Sequence, residues 1–326
     1  MPPKIRRMTA NSTAPKSSLR RFTLMVSGED ALDSNPERDS PPSGLPQECF
    51  LLGEKLPIAP VLLLGQSDLP VNPIEVIACL QPVHLHATRD HLVLMAQSQI
   101  DLTTEESTKL LQVALPYIEE DFQYKVLFQG QRDWFIPAGP FANLATHSID
   151  QAHGRNIDWW MPRDTSEIGI AKLWRKLQNE IQMLWHIDPV NEVREQCGFP
   201  SINSLWISGI GKLEDVRTPA LFHNVTQIYG EHPLLTGLAK HLGIPQQSEI
   251  DFSNVVNGFA WLGRPESTWN HLKNIVLNKG LDEIEIIDFP KGKARYRVFT
   301  AKDLHKTSWR FWKKSEPLTW KEIISS

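Results

Sequence analysis

The clearest hydrophobic pattern in the chain is a run in which apolar residues recur every three or four positions. Its members are Ile170, Leu173, Trp174, Leu177, Ile181, Leu184 and Trp185. This spacing predicts a helix with one face turned toward a core. Asp164 and Glu167 have the spacing of a capping box at its start. Asp188 and Pro189 are expected to end it and to begin a short helix, with Gly198 just past that helix's end.

An α+β pattern precedes that helix. Residues 103–122 are amphipathic and begin with Thr103 and Glu106 at capping-box spacing, and Pro116 is expected to kink or end the helix. Alternating apolar residues on both sides predict two strand pairs, which gives the order β-β-α-β-β. The four strands are expected within residues 82–88, 91–97, 124–130 and 132–138.

The C-terminal third alternates between strand and helix patterns. A first strand is predicted earlier, where Phe22, Leu24 and Val26 alternate, and the proline-rich residues 29–48 predict a linker. Strands separated by helices favour an α/β fold with a mostly parallel sheet flanked by helices and an antiparallel edge. Strands are expected within residues 204–208, 224–230, 254–263, 283–289 and 294–300, and helices within 232–243, 267–280 and 301–314.

Composition and charge narrow the classes of function. The chain is 41% hydrophobic and 22% charged with a formal net charge of −4, which is typical of a soluble globular protein and argues against a nucleic-acid partner. Three cysteines (Cys49, Cys79 and Cys197) without a Cys-x-x-Cys pair indicate a reducing, cytoplasmic environment. No apolar run reaches the ~18 residues of a membrane span, so no membrane partner is expected. Residues 1–20 predict a basic disordered tail, with an RNA- or lipid-binding arm as the alternative.

The main candidate site lies around the short helix. Asn191 and Arg194 are three residues apart and share a face of it, and Asn203 precedes the next strand. A guanidinium group and two amides can bind phosphate or carboxylate, and Gly209 and Gly211 would let the backbone approach the anion. The alternative is that the three side chains satisfy carbonyl groups that a turn leaves unpaired.

Motifs for other chemistry are incomplete. Leu213 stands where a P-loop needs Ser or Thr, and Glu214 stands where a dinucleotide-binding fingerprint needs its third glycine. His84 and His86 would share one face of a strand, as metal ligands do, but histidines on a strand surface are the alternative. The sequence contains no Gly-x-Ser-x-Gly nucleophile motif.

A basic and aromatic run occupies residues 291–314. It has nine Lys or Arg residues against one acid, a combination found in nucleic-acid-binding segments. The alternative, which we favour, is that Arg295 and Arg297 form ion pairs across a hairpin. Their expected partners are Asp282, Glu283, Glu285 and Asp288.

Several stretches resemble a bacterial protein family. The central one, LQNEIQMLWHIDPVNEVREQCGFPSINSLWISGIGK in residues 177–212, is similar to a specific "HPVN..R...G.P..NSLW..G.G" segment of the RpfE-type regulatory proteins. Members of that family are often labelled cofactor-independent phosphoglycerate mutase. Residues 81–95, 154–162, 232–243 and 309–318 also look like this family, and the resemblance covers roughly residues 50 to 320.

Residues 83–211 also resemble, more distantly, the inserted domain of archaeal-type phosphoglycerate mutases. The resemblance implies a truncated alkaline-phosphatase-like core in residues 21–80 and 203–326, with an inserted α+β domain of antiparallel strands in residues 81–202. By position, Asn191, Arg194 and Asn203 match the family's motif, whereas Ser208 replaces an arginine of the mutases.

The resemblance also bears on catalysis. The Ser nucleophile and the metal ligands of the mutases are not recognisable here, which implies a non-catalytic regulatory protein without a cofactor that binds a small phosphorylated acid or a protein partner. The first alternative is an active mutase or phosphatase that needs Mn or Zn. Its ligands would come from His84, His86, His223 and His232. The second is a nucleic-acid- or protein-binding module that uses the basic C-terminal run.

Overall fold

The structure, a computed structural model, describes residues 19–28, 44–95, 97–304 and 319–325. The strands in these ranges are β1 (Arg21–Val26), β2 (Ile77–Val83), β3 (Leu85–Ala87), β4 (Leu92–Leu94), β5 (Phe128–Gln129), β6 (Trp134–Pro137), β7 (Leu144–Ala145), β8 (Arg163–Asp164), β9 (Ser204–Gly211), β10 (Gln227–Tyr229), β11 (Gln246–Gln247), β12 (Gly258–Leu262), β13 (Glu283–Asp288) and β14 (Arg295–Thr300). The α-helices are α1 (Pro46–Leu52), α2 (Ile58–Gln66), α3 (Gln97–Ile100), α4 (Thr104–Phe122), α5 (Ile149–Ala152), α6 (Ile170–His186), α7 (Pro189–Gln196), α8 (Pro233–Leu242), α9 (Glu266–Leu277) and α10 (Trp320–Ser325).

Six strands form a mostly parallel sheet in the order β11-β10-β12-β1-β13-β14. β1 pairs in parallel with β12 and β13, and β14 runs antiparallel to β13 at the edge. Phe22, Thr23, Leu24 and Met25 are all buried, because apolar clusters cover both faces of the sheet around β1. The predicted α/β class with a mostly parallel sheet is therefore confirmed, but the predicted one-sided alternation of β1 is wrong.

A second sheet is antiparallel, in the order β5-β6-β2-β9. β2 is buried along its whole length, and a strand buried on both faces lacks the alternation by which strands are recognised, so the sequence predicts only its last two residues. The two predicted strand pairs exist, but β3 and β4 form a small sheet of their own. β9, which the sequence groups with the parallel sheet, instead pairs with β2.

The division of the chain at residues 80/81 and 202/203 stays a prediction. β2 runs across the first of these boundaries, and β9 begins just after the second. These two strands pair along most of their length, from Ile77 with Gly211 to Val83 with Ser204.

Tryptophans dominate the core between the antiparallel sheet and helices α4 and α6. Trp134, Trp174 and Trp185 are each 0% exposed, and the rings of Trp134 and Trp185 meet edge-to-face with their centroids 6.1 Å apart. Two of the indole N–H groups have partners: Trp134 Nε1 donates to Ser107 Oγ at 3.0 Å, and Trp185 Nε1 donates to the Leu110 carbonyl at 3.1 Å. Trp134 and Trp185 thus fill core volume with their donors satisfied, whereas Trp174 Nε1 is buried without a hydrogen-bond partner among the described residues.

Two of the predicted helix boundaries differ from the structure. α6 begins after Gly169, so Asp164 and Glu167 lie before the helix and form no capping box. The Asp164 carboxylate still caps it from β8, because it accepts hydrogen bonds from the backbone N–H groups of Gly169 at 2.8 Å and Ala171 at 2.6 Å. α4 has the predicted capping box but continues through Pro116 to Phe122.

The remaining predictions fall partly outside the described residues. α1 begins at Pro46, so the end of the predicted linker is helical, and residues 29–43 are not described. Residues 1–18 of the predicted tail and residues 305–314 of the last predicted helix are not described either. Among the described helices, none combines the length and apolar character needed to cross a bilayer.

α2 connects the two sheets. It packs against β9 on one side and against α8 on the other. The contact with α8 depends on two glycines, since a Cβ atom at Gly65 would lie 2.1 Å from the Pro233 carbonyl oxygen and one at Gly237 would lie 1.8 Å from the Val61 carbonyl oxygen. The backbones of these two helices therefore touch directly, and α2 holds the antiparallel sheet beside α8.

Candidate functional site

The predicted anion-binding residues all have protein partners, and Asn191 is the first. Its Nδ2 donates hydrogen bonds to the carbonyls of Trp185 and Ile202, each at 2.8 Å. Its Oδ1 accepts a hydrogen bond from the Ile202 N–H at 2.6 Å. The amide thereby ties the end of α6 to the segment that enters β9.

Arg194 lies in the same connection and is 1% exposed. Its Nε donates to the Pro200 carbonyl at 2.8 Å, and its Nη1 donates to Glu106 Oε1 at 2.9 Å. Its Nη2 donates to the Ile100 carbonyl. All three guanidinium nitrogens are thus bonded to the protein, and the Arg194 guanidinium holds the pKa of Glu106 below its usual range together with the hydrogen bonds of Thr103, against the opposing effect of burial.

Asn203 pairs with the backbone of Leu85: its Oδ1 accepts from the N–H at 2.8 Å and its Nδ2 donates to the carbonyl at 3.0 Å. Gly209 and Gly211 face helix α2, because a Cβ at either would lie 2.7 Å from the backbone of Ala59 or Pro57. These contacts match the alternative interpretation, in which the three side chains bond to backbone groups that a turn leaves unpaired. Anion binding by Asn191, Arg194 and Asn203 stays a prediction.

The histidine pair lies near the same segment. The rings of His84 and His86 have centroids 6.0 Å apart, and His84 Nδ1 bonds to the Ser201 carbonyl at 2.6 Å. Burial lowers the pKa of His84. In the described part of the chain, no group of three or more His, Cys, Asp or Glu side chains has a geometry that could hold a metal ion.

Ion pairs within the sheet account for the two arginines in the described part of the basic run. Arg295 and Arg297 both bind Asp288, at 2.6 and 2.9 Å. The other predicted acids pair elsewhere: Arg20 binds Asp282 at 2.6 Å, and Arg21 binds both Glu283 and Glu285 across from β1. The cross-strand interpretation is confirmed for Asp288 and wrong for these three acids. Glu283 and Glu285 lie on the sheet face opposite to Arg295 and Arg297, and Asp282 precedes β13.

A cleft between the two sheets is the stronger candidate site. Its outer compartment has a cavity volume of about 370 Å³, and an inner compartment of about 80 Å³ adjoins it. Glu48, Ile58 and Ser148 line both compartments. The walls come from α1, from the start of α2, from β9 and from the segment between β7 and α5.

Glu48 is the central titratable group of this cleft. It is only 7% exposed, and burial raises its pKa to about 7, against the opposing effects of the Leu45 N–H and the Ser148 side chain. Glu48 Oε2 accepts the Leu45 N–H at 2.8 Å, which fixes the carboxyl at the start of α1. The carboxyl group therefore gains or loses its proton near neutral pH, and it can donate a hydrogen bond when protonated and accept one when ionised.

Two cations line the outer compartment. Arg163 on β8 donates from Nη2 to the Trp159 carbonyl at 3.2 Å and forms no ion pair with a described residue. Lys55 also lines this compartment and binds Asp215 at 2.5 Å, and the exposed Glu54 is next to it in the chain. Arg163 is consequently the cation with most capacity left for an anion.

Two buried side chains of the inner compartment, Ser208 and Gln81, are hydrogen-bonded to each other, and Gln81 also bonds to Asp133 beyond the lining. The other polar residues of its lining include Asp150 and His232, which are exposed. Ser208 Oγ donates to Gln81 Oε1 at 3.0 Å, and Gln81 Nε2 donates to Asp133 Oδ1 at 2.7 Å. His232 caps α8, because its Nδ1 accepts the Leu234 N–H at 3.1 Å. Its Nε2 then carries the proton of the neutral ring, and partial burial lowers the pKa of His232.

Comparison with known proteins gives little on function. Neither a family model nor a curated protein matches this sequence. The PH0037 protein from Pyrococcus horikoshii shares 12% identity and a TM-score of 0.39, over 88% of this chain and 90% of that one. A cofactor-independent phosphoglycerate mutase from Thermoplasma acidophilum shares 14% identity and a TM-score of 0.36, over 86% of this chain and 90% of that one. At such low values these likenesses leave the function of this chain open.

Sequence patterns did not single out this cleft. Glu48 lies in a segment that is proline-rich and was predicted to be a linker, and Arg163 lies in the approach to a helix. His147 and Ser148 form the one His-Ser dipeptide of the sequence, and no recognised motif includes it. The available signal was this polar HSID stretch, but nothing local links it to Glu48 or His232.

Glu48 should make stability depend on pH. Its pKa is raised from 4.5 to about 7 in the folded protein, so the folded state binds the proton more tightly and stability is lost as the pH rises from about 4.5 through 7. Glu48→Gln should remove this loss and be more stable than wild type at pH 8, by on the order of 3 kcal/mol. Urea unfolding between pH 4.5 and 8 measures the difference, with Glu54→Gln, an exposed residue of the same cleft, as control. Identical pH slopes for wild type and Glu48→Gln would contradict this assignment.

Proposed function

We propose that this protein is a non-catalytic regulatory protein that binds a small phosphorylated acid in the cleft between its two sheets. The observation that carries the proposal is Arg163, a cation on the wall of a 370 Å³ cavity with one carbonyl contact and no ion-pair partner among the described residues. A guanidinium group with free donors is the side chain best suited to hold a phosphate or carboxylate.

Neighbouring groups add to this complementarity. Lys55 supplies a second positive charge, and Thr146 and Ser148 supply hydroxyl groups on the same cavity wall. Arg163 can therefore bind an anion without breaking an ion pair to a described residue. Lys55 is already paired with Asp215, the Ser148 side chain already bonds to Glu48, and Arg194 would have to break existing hydrogen bonds.

The regulatory and non-catalytic part of the proposal is supported by the sequence. The stretch in residues 177–212 resembles the RpfE-type regulatory proteins. The same resemblance suggests an origin from the cofactor-independent phosphoglycerate mutases and a cleft ligand related to a phosphorylated sugar acid.

Titration calorimetry with 3-phosphoglycerate tests the binding proposal. Wild type should bind it, and Arg163→Gln should weaken the affinity by roughly tenfold or more, since one charge-assisted contact to phosphate is lost. Arg175→Gln is the matched control, because Arg175 is exposed on α6 and lies outside the cleft lining. Absence of binding by wild type, or equal binding by wild type and Arg163→Gln, would overturn the proposal.

A further inference from the structure

The two compartments of the cleft differ in charge. Arg163 and Lys55 line the outer one, where Glu54 is the opposing acid. The inner compartment is lined by Asp150 and His232 but by no Lys or Arg, and Glu48 lies where the two compartments meet. A ligand that spans both would meet cations at one end and carboxyl groups at the other.

Asp150 is the acid of the inner compartment. It is exposed, lies in the first turn of α5 and forms no hydrogen bond or ion pair with the residues that the structure describes. The nearby Glu48 has no cationic partner either; its contacts are the Leu45 N–H and the Ser148 side chain. Two carboxyl groups without a cation between them leave room for a positively charged group of a ligand.

The serine of the inner wall contributes an acceptor as well. Ser208 Oγ uses its own proton in the bond to Gln81 Oε1, and Gln81 is held in that orientation because its Nε2 donates to Asp133. Asp133 is itself fixed by a hydrogen bond of 2.6 Å from Gln66 Nε2. Ser208 is only 4% exposed, so its remaining lone pairs are available mainly to whatever occupies the compartment.

His232 supplies a ring N–H donor to this compartment. Its Nδ1 accepts the Leu234 N–H, which leaves Nε2–H as a donor, and its ring packs against Trp261 with centroids 4.5 Å apart. The volume of about 80 Å³ is enough for two or three groups of the size of a water molecule. An ammonium group with an adjacent carboxylate has that size and that pattern of donors and acceptors.

We infer that the ligand is a small phosphorylated amino acid, whose phosphate binds at Arg163 and whose ammonium group binds between Asp150, Glu48 and Ser208. The carboxylate next to the ammonium group then accepts the His232 Nε2–H. This inference rests on the proposed function, because it takes the phosphate to bind in the outer compartment.

Calorimetry with three related compounds tests it. Each enantiomer of O-phosphoserine is compared with 3-phosphoglycerate, in which a hydroxyl group replaces the ammonium group, and with serine, which lacks the phosphate. One O-phosphoserine enantiomer should bind at least roughly tenfold more tightly than 3-phosphoglycerate, because only the ammonium group forms charge-assisted bonds with the carboxylates. Equal or tighter binding of 3-phosphoglycerate would overturn the inference while leaving the proposed function intact.

Binding of serine tests the phosphate recognition separately from the ammonium site. If serine binds as tightly as O-phosphoserine, the ammonium site stands and the proposed phosphate recognition fails. Binding of none of the three compounds would overturn both.

Substitution of the inner acid gives a second readout. Asp150→Asn should weaken O-phosphoserine binding by roughly tenfold and leave 3-phosphoglycerate binding unchanged, since the hydroxyl group needs no counter-charge. Asp158→Asn is the matched control, because Asp158 is exposed and does not line either compartment. An equal loss for both ligands, or no loss for O-phosphoserine, would contradict the assignment of Asp150.

Discussion

Replacing Arg194 by alanine is expected to lower the free energy of unfolding by about 3–5 kcal/mol, the range found when one partner of a buried, hydrogen-bonded ion pair is removed. The guanidinium is 1% exposed and connects Glu106, at the start of α4, with the carbonyls of Ile100 and Pro200. Without it, these acceptors lose their donor in a space that the alanine side chain cannot fill. Urea unfolding measures the loss.

Arg175→Ala is the control for this prediction. Arg175 is exposed on α6, so its removal should change the free energy of unfolding by no more than about 0.5 kcal/mol. A stable Arg194→Ala protein that has lost binding of 3-phosphoglycerate would show that Arg194 serves an anion instead of the fold. Loss of stability in Arg194→Ala, with ligand binding retained by the folded fraction, is the outcome expected from the contacts.

Gly237→Ala is expected to destabilise the protein by about 3 kcal/mol or more, at the upper end of what overpacking costs. The added Cβ would lie 1.8 Å from the Val61 carbonyl oxygen, which belongs to the backbone of α2 and cannot rotate away. Helices α2 and α8 would have to separate, and α2 also supports β9. A loss of stability would be informative, because alanine by itself stabilises the interior of a helix relative to glycine by about 1 kcal/mol.

Chemical unfolding of Gly237→Ala beside Gly263→Ala tests this packing. Gly263 has no heavy atom within 4 Å of the position that a Cβ would occupy, and its φ does not lie in the left-handed region. Gly263→Ala should therefore be close to neutral. If Gly237→Ala is as stable as wild type, the close approach of α2 and α8 is wrong.

Helices could be predicted from the sequence wherever apolar residues recurred every three or four positions between polar ones. The stripe from Ile170 to Trp185 became α6, and Thr103 with Glu106 became the capping box of α4. The start of α6 could not be placed, since the Asp164 carboxylate caps it from five and seven residues away instead of from within the first turn. Capping rules consider residues next to the first turn of a helix, whereas the cap of α6 comes from Asp164 on β8.

Strands could be predicted, but their partners could not. β2 and β9 are separated by more than a hundred residues, and whether β9 joined β2 or the parallel sheet depended on which apolar surfaces remained to be covered. The same holds for the ion pairs of β13. Only Asp288 lies on the same face as Arg295 and Arg297, whereas Glu283 and Glu285 lie opposite Thr300 and Val298 on the other face, where Arg21 of β1 binds them.

The partners of the candidate site residues could not be predicted either. Asn191, Arg194 and Asn203 could be identified as chemically capable residues, but the sequence left open whether their partners were ligand or protein, and the structure shows protein carbonyls and Glu106 around them. Glu48 could not be identified at all, because its raised pKa arises from burial that only the packed cleft provides.

Local periodicity and capping chemistry therefore determined which segments became helices and strands, and composition determined that they would bury a core. The tertiary structure decided which strands paired, which buried polar groups were satisfied and where unpaired charge remained. The physical reason is the separation of the interacting residues along the chain, because helix turns and strand alternation depend on residues only a few positions apart. The cleft, in contrast, combines Glu48, Asp150, Arg163 and His232 from α1, α5, β8 and the start of α8, which no local pattern connects.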